Sequence, residues 1–285
     1  MVENVKDKIR GVMVGEAIGD ALGFPVRRMT YPRMVDINGD YDWYPEWGLR
    51  CYRWKTKVSA RTWKTIGTAN ELVNAGLHRM SVPEADTTAL EVARKHLRRP
   101  QDFVPVAVLV HIIYVLIRDN QPTKELLIKH AFKAVNAVQK RLPEYKEEVW
   151  HVKNLIKRVV RHYKSYTQGY LYSEYYGLDQ LDSYRRIMEI VGEERTEGAA
   201  LAIALFSCLS YWDDFPHAMI TVINHDGDSC AAASMAGSIM GAVMGLEKMK
   251  EIAQRYVDEL ECYEQMVNVA DELCRFDFML ETKTG

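Results

Sequence analysis

The densest group of chemically useful side chains is His225-Asp226-Gly227-Asp228-Ser229-Cys230, directly before the apolar run Ala231 to Leu246 (AAASMAGSIMGAVMGL). Asp226, Asp228 and Ser229 sit where helix N-caps belong, and a single one of them would cap the helix that the run predicts. Carboxylates at the mouth of a buried helix are also how a helical protein presents metal ligands or an acid/base pair. A second group is built on glycine: Gly11, Gly15, Gly19 and Gly23 recur in GVMVGEAIGDALGFPV, with Asp20 after Gly19. Glycine at every fourth residue of an apolar helix lets another backbone or a ligand approach closely. No Gly-Lys-Ser/Thr follows, so this is not a phosphate-binding P-loop. The run Asp36 to Asp42 (DINGDYD) places oxygens on alternate residues, but its glycine, Gly39, comes too early for an EF-hand. Trp47 stands where that loop needs a bidentate glutamate. It reads as an Asx-type turn.

These groups must be positioned by helices. Val104 to Ile117 is apolar nearly all round and predicts a buried central helix. Leu127, Ala131, Ala134 and Val138 form one stripe at three- and four-residue steps within Leu126 to Arg141. Glu197 to Trp212 and Ala231 to Leu246 are further apolar helices. In the latter, Ala232, Ala236, Gly237, Gly241, Ala242 and Gly245 line up small residues at helical spacing. Each interior glycine costs about 1 kcal/mol against alanine, so several together predict tight helix packing, with ligand approach as the alternative. Alternating β-branched runs bounded by turn pairs are nearly absent. Thr30 to Lys57 and Gln168 to Ser183 read as irregular excursions. The expected architecture is all-α, a single domain over residues 1–285.

Composition narrows the function class. The 285 residues carry 37 Lys+Arg against 39 Asp+Glu, a net charge of −2, so no global field favours nucleic acid or an anionic membrane. The cysteines, Cys51, Cys208, Cys230, Cys262 and Cys274, are odd in number and lack a C-x-x-C pair. That argues against a disulfide framework or thiolate zinc site. The opening MVENVKDKIR has no apolar h-region, and the apolar stretch Phe103 to Ile117 falls short of a bilayer span. A cytoplasmic protein without a membrane partner is expected.

Gly11 to Val26, followed much later by Asn224 to Gly245 (NHDGDSCAAASMAGSIMGAVMG), resembles the ADP-ribosylglycohydrolase family. The resemblance covers about residues 8 to 275, and its motif-specific parts are the two ends. It implies a compact, orthogonal all-α bundle around a cleft. Two magnesium ions there support hydrolysis of a bond at the ribose anomeric carbon. An ADP-ribose-like or nucleotide ligand follows from the same likeness.

The departures fall on the ligand positions. Asp228 fills the first aspartate of the family's last motif, while Cys230 replaces the second and Ala231 the following hydroxyl. The family's [TS]-D-D-T signature matches best at Ser59-Ala60-Arg61-Thr62, where both aspartates are missing. A later run, Glu84-Ala85-Asp86-Thr87-Thr88, has the wrong order and more simply starts a helix. Arg27 stands at the glutamate that closes the first signature. Hard divalent ions need several anionic oxygens at about 2.0–2.6 Å, and a thiol is a soft substitute. No cofactor is therefore expected, with one weakly held magnesium at Asp226 and Asp228 as the alternative.

The resulting assignment makes Asp228 or Asp226 a base toward water. Ser59, Arg61, Arg27, Ser229, Cys230 and Asp20 are the ligand-binding candidates, with Arg61 or Arg27 set against a diphosphate or developing charge. A non-hydrolytic descendant that binds the same ligand class is an equal reading. Lys153 to Lys164 is basic without an acid, and tyrosines crowd the stretch to Tyr184. That pattern leaves nucleic acid as a further candidate partner, against a solvated helix face followed by a packing loop.

Overall fold

A computed structural model of the chain describes residues 2–27, 29–38, 81–170 and 180–281. Those residues form helices, and no strand occurs among them. In chain order they are α1 (Val2–Gly23), α2 (Tyr31–Asn38), α3 (Val82–His96), α4 (Pro100–Arg118) and α5 (Lys124–Arg141). A 3-10 turn at Pro143–Tyr145 leads into α6 (Lys146–Tyr170). Then come α7 (Gln180–Val191), α8 (Glu197–Ser210), α9 (Phe215–Ile223), α10 (Ser229–Asp258) and α11 (Tyr263–Glu281).

Short polar side chains start several of these helices, because the first turn has amide donors with no partner inside the helix. Ser81 Oγ accepts from the Glu84 amide, Thr123 Oγ1 from Leu126, Thr196 Oγ1 from Ala199 and Asp214 Oδ1 from His217. Asp228 Oδ1 accepts from both Cys230 and Ala231 at 3.1 and 3.2 Å. The all-α expectation holds, as do the central helix over Val104 to Ile117 and the buried stripe of Leu127, Ala131, Ala134 and Val138. Both irregular stretches are corrected in part, and in the second, residues 168–170 close α6 and residues 180–183 open α7. Tyr31–Asn38, inside the stretch read as irregular, is helix α2: Tyr31 and Met34 are buried three residues apart, which gives this short helix an apolar face. Residues 39–57 and 171–179 of the two excursions lie outside the described residues.

Helix α8 is buried continuously from Gly198 to Leu209, and α4 is buried nearly all round from Phe103 to Ile117. Helices α4 and α10 are long and apolar enough to cross a bilayer, yet 72% and 83% of their apolar windows are buried against other helices. Their length and apolarity are thus accounted for by the core. Lys8, only 3% exposed, extends from α1 to the end of α4, where its Nζ donates to the carbonyls of Leu116 and Asp119. A cation on terminal carbonyls satisfies acceptors that the helix leaves open and opposes the negative end of its dipole. Burial lowers the Lys8 pKa, against the charges of Asp119 and Asp7.

The tightest packing joins α1 to α10. A Cβ placed on Gly11 would lie 2.6 Å from the Gly241 carbonyl oxygen. One on Gly15 would collide with the Gly237 carbonyl, on Gly19 with Ala233 and on Gly23 with Ser229. The relation is reciprocal, since a Cβ on Gly237 or Gly241 would strike the carbonyl of Gly15 or Gly11. As one number rises the other falls, so the helices run antiparallel with backbone against backbone. The small-residue spacing is therefore helix packing along this seam. At its far end Gly245 takes φ +77°, which breaks the regular course of α10. Asp7 Oδ1 then accepts from the Glu247 amide and starts the second half of the helix.

Gly237→Leu cannot be absorbed by a rotamer change, because the clash is with backbone. The expected loss is roughly 3 kcal/mol or more of unfolding free energy, the upper end for overpacking. Urea denaturation of the purified variant checks this, and a midpoint equal to that of the parent protein would refute the seam.

Candidate active site

The glycine seam ends where the sequence motifs begin. Gly23 at the end of α1 packs on Ser229 and Cys230, so Asp20 and Arg27 from the first motif are brought to the His225–Ala231 segment of the second. Cys230 Sγ contacts the Asp20 carbonyl at 3.8 Å. Burial raises the thiol's pKa, as do the charges of Asp20 and Asp228, against an opposing pull from Arg27. Cys230 is therefore a neutral thiol near neutral pH. The Arg27 guanidinium lies 4.4 Å from the Phe24 ring centroid, a cation–π contact that holds the cation at the end of α1. The structure thus brings Asp20, Arg27, Asp228 and Cys230 together. Ser59 and Arg61 lie outside the described residues.

Within the second motif the polar residues divide their tasks. Asp228 is exposed; its Oδ1 caps α10, and its Oδ2 takes no hydrogen bond among the described residues. Asp226 has both oxygens in use, Oδ1 by the Tyr31 amide at 2.7 Å and Oδ2 by the Tyr184 hydroxyl at 3.0 Å. The rings of Tyr31 and Tyr184 stack at 4.4 Å between centroids. Asp226 thereby ties α2 and α7 to the segment before α10. Burial and this carboxylate push the Tyr184 pKa up to about 12, so it stays a donor. Ser229 is fully buried and its hydroxyl donates to the Ile223 carbonyl at 3.0 Å. That directs it into the fold and away from a ligand. His225 Nδ1 accepts from the Gly227 amide at 2.7 Å, which fixes the tight turn and leaves the neutral ring with hydrogen on Nε2.

Two carboxyl groups that the sequence reading passed over belong to this region. Glu197, in the first turn of α8, is half-buried, and its pKa is raised to about 7. Burial is the main cause, followed by the charges of Asp228 and Asp102, with Arg99 opposing. Its position after the Thr196 cap reads in sequence as an ordinary first-turn acid, and burial, with the charge of Asp228 added, makes it more. Glu16 is 1% exposed and neither oxygen accepts a hydrogen bond among the described residues. Burial, with the charge of Asp20 next, raises its pKa well above the ordinary range. A single acid inside the apolar run GVMVGEAIG was the available signal.

Among the described residues no group of three or more His, Cys, Asp and Glu side chains is placed to hold a metal ion. Among the described residues, the positions matched to the last signature offer few free oxygens for a divalent ion. Asp226 is spent on protein donors, Cys230 is a half-buried neutral thiol, and Ala231 offers no side-chain oxygen. In the alternative signature at Glu84–Thr88 both acids have protein partners. Ser81 Oγ accepts from the Glu84 amide and donates to the Glu84 carboxylate, and Asp86 pairs with His111 at 2.6 Å and Arg141 at 3.7 Å. The basic run on α6 is partly engaged in packing: Lys153 donates to Asn136, Arg158 to the Ile190 carbonyl, and His162 pairs with Glu189.

A family model described as ADP-ribosylglycohydrolase matches the chain over residues 1–102 and 77–280. The chain belongs to the ADP-ribosylglycohydrolase family. Among solved structures it is similar to an "ADP-ribosylglycohydrolase-related protein complex", with 20% sequence identity and a TM-score of 0.43. The match covers 96% of this chain and 99% of that one. No curated protein matches the sequence.

Burial lowers the His225 pKa from 6.5 to about 4, against the opposing charges of Asp226 and Asp228. A depressed folded pKa means that the unfolded chain takes up a proton first as pH falls. The stability is complete above pH 6.5 and is lost as pH falls toward about 4. The shift corresponds to about 3 kcal/mol for this residue. His225→Asn, which keeps an acceptor for Gly227, is expected to flatten that part of the curve. Urea midpoints from pH 7.5 to 4 check it, and parallel curves for the two proteins would refute it.

Proposed function

We propose that this family member binds an ADP-ribose-type ligand beside Asp228 and acts at the ribose anomeric carbon without the dinuclear magnesium centre. The supporting observation is that Asp228, exposed at the N-terminus of α10, has a carboxylate oxygen open among the described residues, and that its charge helps to raise the Glu197 pKa. A carboxyl group that keeps its proton to about pH 7, as Glu197 does, can serve as a general acid. Asp228 Oδ2 takes a proton from water as its oxygen bonds to the anomeric carbon. The glycosidic bond breaks toward the leaving group, which takes a proton from Glu197. Arg27, near Cys230, supplies the positive charge for a diphosphate, and the first-turn amides of α10 add to it. Asp226 acts by positioning, holding the Tyr31 and Tyr184 rings against the segment that carries Asp228.

A second reading, a descendant that binds the ligand and does not turn it over, is favoured by Cys230 and Ala231 at ligand positions. Calorimetric titration with ADP-ribose, with and without magnesium, and an assay on an ADP-ribosylated substrate separate the two. Metal-independent turnover that falls at least about a hundredfold in Asp228→Asn supports the acid/base reading. Tight binding with no turnover supports the second. Turnover that requires magnesium would overturn the altered site, and no binding of ADP-ribose would overturn both.

A further inference from the structure

Three side chains on three different helices form a chain of hydrogen bonds distant in sequence from the α1–α10 site. Asp86 Oδ1 of α3 lies 2.6 Å from His111 Nδ1 of α4, and His111 Nε2 lies 3.0 Å from His130 Nδ1 of α5. His111 is 3% exposed, and the Asp86 side chain is 11% exposed. The order of donors follows from the carboxylate, which only accepts when ionised. His111 must carry its hydrogen on Nδ1, so its Nε2 accepts in the neutral ring. His130 must then donate from Nδ1, which leaves a lone pair on its Nε2. That nitrogen accepts no hydrogen bond among the described residues and is not closed off from solvent, since His130 is only half-buried.

The surroundings select what this nitrogen can take. Lys129 and Lys133 are exposed on the same helix, and their charges reach the His130 ring. Arg141 lies 3.7 Å from the far oxygen of Asp86 and donates to the Pro83 carbonyl and Thr87 hydroxyl. Desolvation, then the charges of His111, Lys133 and Lys129, hold the His130 pKa down at about 4, with Asp86 opposing. The ring is therefore neutral and its outer lone pair available at physiological pH. The two lysines disfavour a proton there and favour an anion.

We propose that Asp86, His111 and His130 form a relay that makes His130 Nε2 a nucleophilic site for phosphoryl transfer from a phosphoramidate-class donor. The Nε2 lone pair forms a bond to phosphorus while the donor's P–N bond breaks. Its electron pair leaves on nitrogen, already protonated, as the free amine or ammonia. The product ring would carry a positive charge, and its Nδ1 proton moves toward His111 Nε2, giving an imidazolium bonded to the Asp86 carboxylate. The charges of Lys129 and Lys133, which reach the ring, favour the added phosphoryl anion. Small phosphoramidates and the phosphohistidine of another protein present the same P–N chemistry. Exposed His217 is an internal contrast: its Nδ1 bonds Asp214 directly, which raises its pKa and keeps its ring protonated further toward neutral pH.

The test incubates the full chain with potassium phosphoramidate at pH 7.5 and maps the adduct by mass spectrometry, with labelling by this small donor and by a phosphohistidine protein compared in parallel. A single phosphoryl group on His130 is expected, with the rate lowered at least roughly tenfold in Asp86→Asn, the scale on which an orienting carboxylate acts through histidine. Thermal melts report whether that variant folds. The double variant Lys129→Gln, Lys133→Gln, at exposed positions, keeps the proposal falsifiable if Asp86→Asn does not. It should slow phosphoramidate and leave acylation of His130 by neutral diethyl pyrocarbonate unchanged. Transfer from only one of the two donor types identifies the source and supports the site. Equal labelling of His130, His151 and His217, or a folded Asp86→Asn protein that reacts at the parental rate, overturns it.

Discussion

The contact of α1 with α10 at carbonyl distance is the constraint on which the rest of the structure depends. Gly11, Gly15, Gly19 and Gly23 on one helix and Gly237 and Gly241 on the other leave no room for side chains between the two backbones. Close approach of two long apolar helices removes much surface from water and gains dispersion contacts along the seam. It also fixes register: Gly23 must meet Ser229, so the residues after α1 arrive at the residues before α10. The site lies at one end of this seam and the Gly245 break, capped by Asp7, lies toward the other.

Electrostatics then separates residues that look equivalent in sequence. Asp226 and Asp228 are two positions apart, yet one is saturated by Tyr31 and Tyr184 and the other keeps an oxygen open among the described residues. Glu197 in the first turn of α8 and Asp228 at the N-cap of α10 both sit where carboxylates favour the helix dipole. Burial of Glu197 next to a second negative charge reverses its behaviour and holds its proton to about pH 7. The three imidazole environments differ for the same reason. His225 is locked neutral in a turn, His217 is paired with Asp214, and His130 borrows a carboxylate through His111.

The helices and their tight seam were legible because periodicity and glycine spacing are local properties. Val104 to Ile117, the stripe from Leu127 to Val138 and the small residues of Ala231 to Leu246 lie where their patterns place them. Helix α2 was hidden because Pro32 and the aromatic, turn-rich residues after it outweigh the burial of Tyr31 and Met34, which arises only from packing. In the site, the convergence of Asp20, Arg27, Asp228 and Cys230 was readable from two motifs at opposite ends of the chain. Glu197 was not, since nothing near it in sequence announces Asp228. Ser229 looked like a ligand residue because a hydroxyl's direction is unspecified until Ile223 offers its carbonyl.

The sequence alone determined an all-α chain and an intimate pairing of its first long helix with its last motif. Those are statements about which residues are present and at what spacing. Tertiary structure decided which carboxylate is spent, which keeps a proton and which histidines share one. The reason is physical: hydrogen-bond saturation and desolvation are set by neighbours that approach through space, and residues such as Asp86, His111 and His130 acquire a common chemistry only when three helices pack together.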